Sequence, residues 1–252
     1  MPMALSELER ASPMGDSALR IVLGEQPDAA TVARVQALAA LLRRHPLPGQ
    51  RDVVPAYTTV TLHYRPEALL EDADPAELRA PWQRLADQVT RLLRQLRRSA
   101  PAAGREVVVP VWYGGEAGPD LAEVARHCGL DEDGVVQRHL ASPHQVCMLG
   151  FAPGFPFITG LDPALRTARR ATPRTRIPPG SVAIAREQTC IYPLETPGGW
   201  NLIGRTPLGL FDPTATPPSR LQPGDRIRFE AIDAERYSEL LAQRGAAPGG
   251  VA

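Results

Sequence analysis

Three segments between Leu149 and Pro213 decide how this chain folds: LGFAPGFPF (Leu149–Phe157), TPRTRIPPGSVAIA (Thr172–Ala185) and QTCIYPLETPGGWNLIGRTPLGLFDP (Gln188–Pro213). Proline and glycine recur in them every few residues, but β-branched and aromatic residues lie between the turns. A linker would be polar and would lack these large apolar side chains. The pattern predicts short strands joined by tight turns, with five aromatic residues as candidate walls of a pocket: Phe155, Phe157, Tyr192, Trp200 and Phe211.

The first third of the chain predicts a small α/β domain. Alternating apolar residues indicate strands near Leu19–Leu23 and over Val53–Tyr64, and a 3.6-residue periodicity indicates a helix after each strand. The second helix is expected to begin at Asp74–Pro75, as N-cap and first helical residue. The order β-α-β-α is typical of a ferredoxin-like unit, which we place at residues 14–98 after a loose arm at residues 1–13.

A shift in composition at SAPAAG (Ser99–Gly104) predicts a domain boundary. Many short strands and a few peripheral helices follow it, which is typical of a closed or nearly closed β-barrel. We place this second domain at residues 105–244. Within it, QPGDRIRFEAI (Gln222–Ile232) has the pattern of a hairpin. The predicted fold class is α+β.

Composition excludes several kinds of chemistry. All 28 basic residues are arginine, so the chain lacks the lysine that a Walker A loop, a Schiff base or biotin attachment requires. Recognition of phosphate or carboxylate would therefore use arginine forks, backbone amides or a metal. Net charge is zero, with 28 acidic residues against 28 basic ones, which gives no indication of a nucleic-acid partner.

The cysteines and the apolar runs indicate a cytoplasmic protein. Cys128, Cys147 and Cys190 are far apart and form no CxxC or Cys/His spacing, so we expect reduced thiols and no metal ligand set. The first 15 residues contain no signal-peptide core, and no apolar run of 18 residues occurs. We therefore expect no membrane association.

The glycine-rich turns and nearby arginines are the first candidate site residues, since no GxSxG, HExxH or GxGxxG motif occurs. The turn that contains Gly198 and Gly199 has two interpretations: its amides form an anion-binding concavity, or its glycines serve barrel corners. Arg205, in a turn beside Gly204, is the preferred arginine for binding a carboxylate or phosphate, and Arg174 is a second candidate.

Polar groups on the predicted strands complete the candidate site. His144 is the candidate proton acceptor, although a lone histidine is more often a structural hydrogen-bonding residue. A short span further on combines amide, hydroxyl and aromatic groups, as sites for small polar ligands do, and its alternative role is cross-strand packing. The candidate binding residues are Phe155, Arg174, Gln188, Thr189, Tyr192, Thr196, Gly198, Gly199 and Trp200.

The ordered motifs LGFAPGFPF, TPR, PGSVAIA, TPGGWNLIGRTP and LFDP resemble the family called allophanate hydrolase subunit 1, KipI-like proteins or the B subunit of prokaryotic 5-oxoprolinase. GDSAL, VVPAY and YGGEAGPDLAEVA fit the same family, so the resemblance covers nearly the whole chain. It implies a small N-terminal α/β domain followed by a cyclophilin-like β-barrel.

The resemblance also implies a function shared between chains. Family members pair with allophanate hydrolase subunit 2, which is the C-type subunit, and with an A-type subunit to cleave 5-oxoproline to glutamate using ATP. Because this chain lacks a nucleotide signature, ATP is expected at a composite site with the partners, and the chain alone is expected to be inactive. Two alternatives stay open: a KipI-like inhibitor of a sensor histidine kinase, and the carboxyltransferase half of a urea carboxylase-like enzyme.

The sequence departs from the family pattern in two segments. Arg186 and Cys190 stand in AIAREQTC where glycines are expected, and Pro179 stands in IPPG where alanine is commoner. A turn that expects glycine but holds arginine is predicted to have a negative φ or to be shifted.

Overall fold

The computed structural model describes residues 11–70, 79–96 and 104–246. These residues form a mixed α/β structure with five α-helices and a closed seven-stranded barrel. The chain divides into two compact units, with the boundary between residues 103 and 104. No helix within the described ranges is long and apolar enough to cross a membrane.

The first unit is built on one antiparallel sheet. Its elements are β1 (Ala11–Pro13), β2 (Ala18–Val22), α1 (Ala29–Arg44), β3 (Gln50–Ala56), β4 (Thr59–Tyr64) and α2 (Pro81–Leu96). The strands are ordered β1-β2-β4-β3 in the sheet. Asp28 caps α1 by accepting a 2.7 Å hydrogen bond from the Thr31 amide, as expected for an aspartate at this position. The core of this unit joins α1, α2 and the sheet through Leu38, Leu85 and Leu62, all fully buried.

Two expectations for this unit were wrong. The strand predicted over Val53–Tyr64 is a hairpin of β3 and β4, because Tyr57 adopts a φ of 44° and turns the chain. The apolar alternation continues on both sides of this turn, so periodicity alone did not reveal it. The arm predicted at residues 1–13 ends in β1, whose three residues pair with β2. The helix start predicted at Asp74–Pro75 lies outside the described residues.

The second unit contains the barrel. Its elements are β5 (Glu106–Tyr113), α3 (Leu121–Cys128), α4 (Glu132–Ala141), β6 (His144–Leu149), β7 (Pro156–Thr159), β8 (Arg174–Ile177), β9 (Ser181–Ala185), β10 (Gln188–Ile191), β11 (Thr196–Gly198), β12 (Asn201–Arg205), β13 (Arg226–Ile232) and α5 (Ala234–Ala246). Around the barrel the order is β10-β7-β6-β13-β5-β12-β9, and β9 pairs with β10 to close it. Strands β8 and β11 form a separate two-stranded sheet.

Most of the barrel interior is apolar. One buried cluster takes residues from all seven strands, including Val111, Val146 and Ile184, and only the inside of a closed barrel meets every strand. Helices α3 and α4 pack against the same cluster through Val124 and Val135.

The outer face of β9, β10 and β12 carries a second cluster, because successive side chains on a strand point to opposite faces. We call it the outer aromatic cluster. It consists of Phe155, Ile177, Ala183, Ala185, Cys190, Tyr192, Trp200 and Leu202, with Phe157 packed against it.

The segment Gln222–Ile232 is not the hairpin that its pattern indicates. It ends in β13, which pairs in parallel with β5 over seven residues and antiparallel with β6. The PGD turn places the chain at the edge of the barrel, and the partner strands come from distant parts of the sequence. A local pattern of turn and strand does not specify such partners.

Substitution of Gly204 by alanine is expected to destabilise the barrel by about 1 to 3 kcal/mol, the usual cost of overpacking. An added Cβ would lie 2.6 Å from Val111 Cγ1 and 2.8 Å from the Trp112 carbonyl oxygen, on the strand that β12 pairs with. Gly199→Ala is the matched control, since its Cβ would meet nothing closer than 3.6 Å. Thermal unfolding of both variants measures the difference, and equal melting temperatures would contradict the prediction.

Candidate functional site

A buried carboxylate at the start of α3 organises the segments around the outer aromatic cluster. Asp120 is 3% exposed, and its oxygens accept hydrogen bonds from Arg170 at 2.7 Å and from both terminal nitrogens of Arg174 at 2.8 Å. The Leu202 amide donates a further bond to it at 2.7 Å. The hydrogen bond to Asp120 raises the pKa of Arg174. Arg174, a predicted binding residue, is therefore committed to Asp120 through both ends of its fork.

The outer aromatic cluster brings together three of the predicted residues: Phe155, Tyr192 and Trp200. The Phe155 ring lies 5.1 Å from that of Tyr192 in an edge-on arrangement, and 5.0 Å from that of Phe157. The Phe157 ring lies 6.2 Å from Trp200. Burial is the main cause that raises the pKa of Tyr192, while a hydrogen bond with the Trp200 amide acts the other way. Tyr192 is therefore a neutral phenol at physiological pH.

The glycine turn beside this cluster is required for close packing. A Cβ at Gly198 would overlap the Tyr192 hydroxyl, and the Gly199 carbonyl accepts a 2.7 Å hydrogen bond from the Arg170 amide. Neither glycine has a positive φ. Of the two interpretations of this turn, the geometry favours packing.

A cavity of about 420 Å³ lies beside the outer aromatic cluster and is lined by Arg166, Thr167, Ala168, Arg169 and Arg186. The Arg169 guanidinium lies over the Trp200 ring, 5.7 Å from its centroid. Arg166 pairs with Glu187 at 3.0 Å, so its charge is balanced. The guanidinium groups of Arg169 and Arg186 line the cavity as well.

Arg186 holds a conformation that the sequence led us to exclude. Its φ is +55°, although a negative φ or a shifted turn was expected. Arg186 and Glu187 form the two-residue loop between β9 and β10, and the favoured hairpin turns of this length require a positive φ at the first loop residue. The register of the hairpin therefore sets the positive φ of Arg186. This conformation costs about 1 kcal/mol for a residue with a Cβ.

The inside of the barrel holds a polar network that contains two more predicted residues, His144 and Thr189. The Thr189 hydroxyl donates to the Ala183 carbonyl at 3.0 Å, so it accepts from His139 Nε2 at 3.1 Å. His139 Nδ1 then accepts from the Tyr113 hydroxyl at 2.8 Å. His144 Nε2 donates to the His139 carbonyl at 2.8 Å, and its Nδ1 has no hydrogen-bond partner.

Both histidines of this network are neutral. Burial lowers the pKa of His144 to about 4. Burial, and then the neighbouring His144, lower the pKa of His139 well below its ordinary value. The ring centroids of the two histidines are 4.7 Å apart, with Phe229 against both of them. A charge on either ring would be buried among apolar groups.

The remaining predicted residues lie apart from the outer aromatic cluster or at its edge. Arg205 ends β12 four residues beyond Asn201, and its Nε donates to the Pro179 carbonyl at 2.9 Å. Gln188 begins β10 opposite Ala185. Thr196 begins β11 opposite Ile177, and its hydroxyl is buried without a hydrogen-bond partner. The catalytic roles assigned to His144 and Arg205 stay predictions.

Sequence reasoning missed Asp120, Arg169, Arg170 and His139. Asp120 lies in the segment YGGEAGPDLAEVA, where nothing marks it as a site residue, and its partners Arg170 and Arg174 lie 50 and 54 positions further along the chain. His139 lies on α4, outside every motif in the sequence. The adjacent arginines in TARRATPRTR were the available signal for a charged site, but no acidic partner is near them in the sequence. Among the described residues, no group of three His, Cys, Asp or Glu side chains is placed to hold a metal ion.

Fold and site together define a barrel protein whose candidate ligand site lies on the outer face of the sheet. The chain belongs to the family described as the carboxyltransferase domain, subdomain C and D, whose model matches residues 9–221.

Two relatives similar to this chain are each named as the B subunit of 5-oxoprolinase. The protein of Bacillus subtilis (strain 168) is 40% identical over 224 residues, which cover 89% of this chain and 93% of the relative. That of Escherichia coli O157:H7 is 40% identical over 217 residues, covering 86% and 93%. The crystal structure of TTHA0988 is 39% identical and superposes with a TM-score of 0.70 over 86% of this chain, which spans 40% of that protein. The family resemblance inferred from the motifs is confirmed.

Asp120→Asn is expected to destabilise the second unit by about 2 kcal/mol, because it removes the charge of a hydrogen-bonded, buried carboxylate, leaves Arg174 without an ionic partner and leaves Arg170 only the exposed Glu123. Glu123→Gln is the control. It breaks only the 3.1 Å contact of Arg170 with a 60% exposed carboxylate, which is worth about 0.5 kcal/mol or less. Chemical denaturation of both variants gives the two values, and similar losses would show that Asp120 is not the anchor.

Acidification is expected to destabilise the protein through the buried histidines. Unfolded His144 takes up a proton near pH 6.5, but the folded protein does so only near pH 4, so stability falls as pH drops through this window. The loss from His144 alone is about 2 kcal/mol between about pH 7.5 and pH 5. His144→Gln keeps a nitrogen donor for the His139 carbonyl and does not titrate. Unfolding curves at both pH values should show a smaller loss for this variant, whereas equal losses would exclude His144 as the source.

Proposed function

We propose that this chain is the B subunit of an ATP-dependent 5-oxoprolinase, which cleaves 5-oxo-L-proline to L-glutamate together with a C-type and an A-type subunit. The observation that carries the proposal is the 40% identity to proteins named as the B subunit of 5-oxoprolinase over nearly their full length. We also propose that the barrel is of cyclophilin type and that the first unit is ferredoxin-like.

The chemistry of the reaction indicates which groups such a site requires. A lactam as stable as 5-oxoproline needs activation, and phosphorylation of the amide oxygen by ATP supplies it. ADP leaves, water adds to the activated carbon, the ring C–N bond breaks to give an acyl phosphate, and a second water releases phosphate. Preorganised donors stabilise the negative charge of the phosphoryl and attacking oxygens in these steps. In this proposal Tyr192 and Trp200, which are 1% and 6% exposed, support the apolar side of the site from behind. Arg205 donates to the Pro179 carbonyl through Nε alone, so its terminal nitrogens are available to stabilise the developing charge.

In this proposal the active site is complete only when the partner chains are bound. The chain has no lysine and no Walker A or GxGxxG motif, so ATP is assigned to a composite site. His144 is 2% exposed and its hydrogen bond goes to the His139 backbone carbonyl, so in this proposal it accepts a proton only if the barrel interior opens to the substrate.

The test is reconstitution of the complex from separately purified subunits. ATP- and 5-oxoproline-dependent release of glutamate is expected from the full set and lost when this chain is omitted. Arg205→Ala in the complex is expected to lower kcat by about 100-fold, as loss of one oxyanion donor does. Arg126→Ala, an exposed arginine on α3, is the matched control. Undiminished activity without this chain would overturn the proposal.

The family description supports a second candidate, a carboxyltransferase half that acts with a biotinylated carrier. Because this chain has no lysine, the biotin must be carried by another polypeptide. Transfer of carboxylate from a carboxylated carrier, measured with and without this chain, distinguishes the two functions.

A further inference from the structure

We propose that the cavity between Arg166–Arg169 and Arg186 binds the phosphate group of a small molecule. This inference goes beyond the proposed function, because it assigns the site to this chain alone and makes no use of a partner or of the lactam. It rests on the charge of the cavity, on how its walls are held, and on the backbone of Arg186.

The cavity carries uncompensated positive charge. Three guanidinium groups line it, and Glu187 balances that of Arg166. Within the part of the chain that the structure describes, Arg169 and Arg186 have no carboxylate at salt-bridge distance. A phosphate dianion matches two unpaired guanidinium groups in charge, and its oxygens match their planar forks. A single carboxylate would balance only one of them.

The walls of the cavity are fixed before any ligand binds. The side-chain amide nitrogen of Asn201 donates to Thr167 Oγ1 at 2.9 Å and to the Ala168 carbonyl at 2.8 Å. The Arg186 amide donates to the Thr167 carbonyl, which joins the two sides of the cavity. The following residue, Arg170, is tied to Asp120. Such preorganisation lowers the entropy cost of ordering a binding site.

The side chain of Arg169 is oriented by a neighbour, and the backbone of Arg186 is unusual for an arginine. Arg169 lies over the face of Trp200, an arrangement that orients a guanidinium without using its donors. Arg186 occupies a left-handed position in which glycine would be unstrained, so the chain keeps a charged side chain there against a backbone preference. The volume of about 420 Å³ exceeds that of an isolated ion and accommodates the remainder of a phosphate ester.

The test is calorimetric titration of the purified full chain with inorganic phosphate and with ATP at low ionic strength. Arg169→Ala and Arg186→Gly are each expected to weaken binding by about tenfold, while Arg126→Ala leaves it unchanged. Arg186→Gly relieves the positive φ, so its melting temperature is expected to stay the same or rise. A loss of affinity in this variant is thus not a loss of fold.

Comparison of the different titrants identifies the class of ligand. Binding of both titrants places the recognised chemistry in the phosphate itself, and binding of ATP alone places it in a phosphate carried by a larger molecule. Succinate, a dicarboxylate of equal charge, is expected to bind at least tenfold more weakly. Stronger binding of succinate than of either phosphate, no binding of phosphate or ATP, or binding that neither Arg169→Ala nor Arg186→Gly weakens would overturn the proposal.

Discussion

The outer face of the barrel depends on one buried carboxylate, that of Asp120. An ionised carboxylate is costly to bury unless its oxygens are paired and hydrogen-bonded. Here the requirement is met by two arginines and one backbone amide, which come from different parts of the chain. In meeting it, they draw the segment from Arg170 to Arg174 against the start of α3 and against β12. The Arg170 amide then fixes Gly199, and with it the position of Trp200.

The wall of the barrel separates two environments that the sequence places side by side. Thr189 points inward to His139, whereas Cys190, the next residue, belongs to the outer aromatic cluster. Polar groups that alternate along one strand therefore do not make one site. The neutral histidines inside belong to the buried core, while the arginines of the cavity outside face solvent. A catalytic mechanism that combined groups from inside and outside the barrel would have to connect them across the sheet.

Local sequence patterns predicted what local forces determine. The short strands of the barrel follow from turn chemistry and periodicity, and the meeting of Phe155, Tyr192 and Trp200 follows from their spacing between turns. Asp120 and Arg174 are 54 positions apart in the sequence, and their pairing has no local signature. The parallel partner of β13 and the backbone of Arg186 were likewise decided by neighbours in space.

The parallel pairing of β5 with β13 has a consequence for the time at which this unit folds. Arg105 and Asp225, which flank the two strands, are 120 positions apart and joined by hydrogen bonds of 2.7 and 3.3 Å. The barrel therefore closes only after nearly the whole second unit has been synthesised. Contacts of such long sequence separation slow folding, and unpaired strand edges are prone to aggregation while they wait. During translation β5 remains without this neighbour until β13 emerges, and a chaperone that shields strand edges would act in this interval.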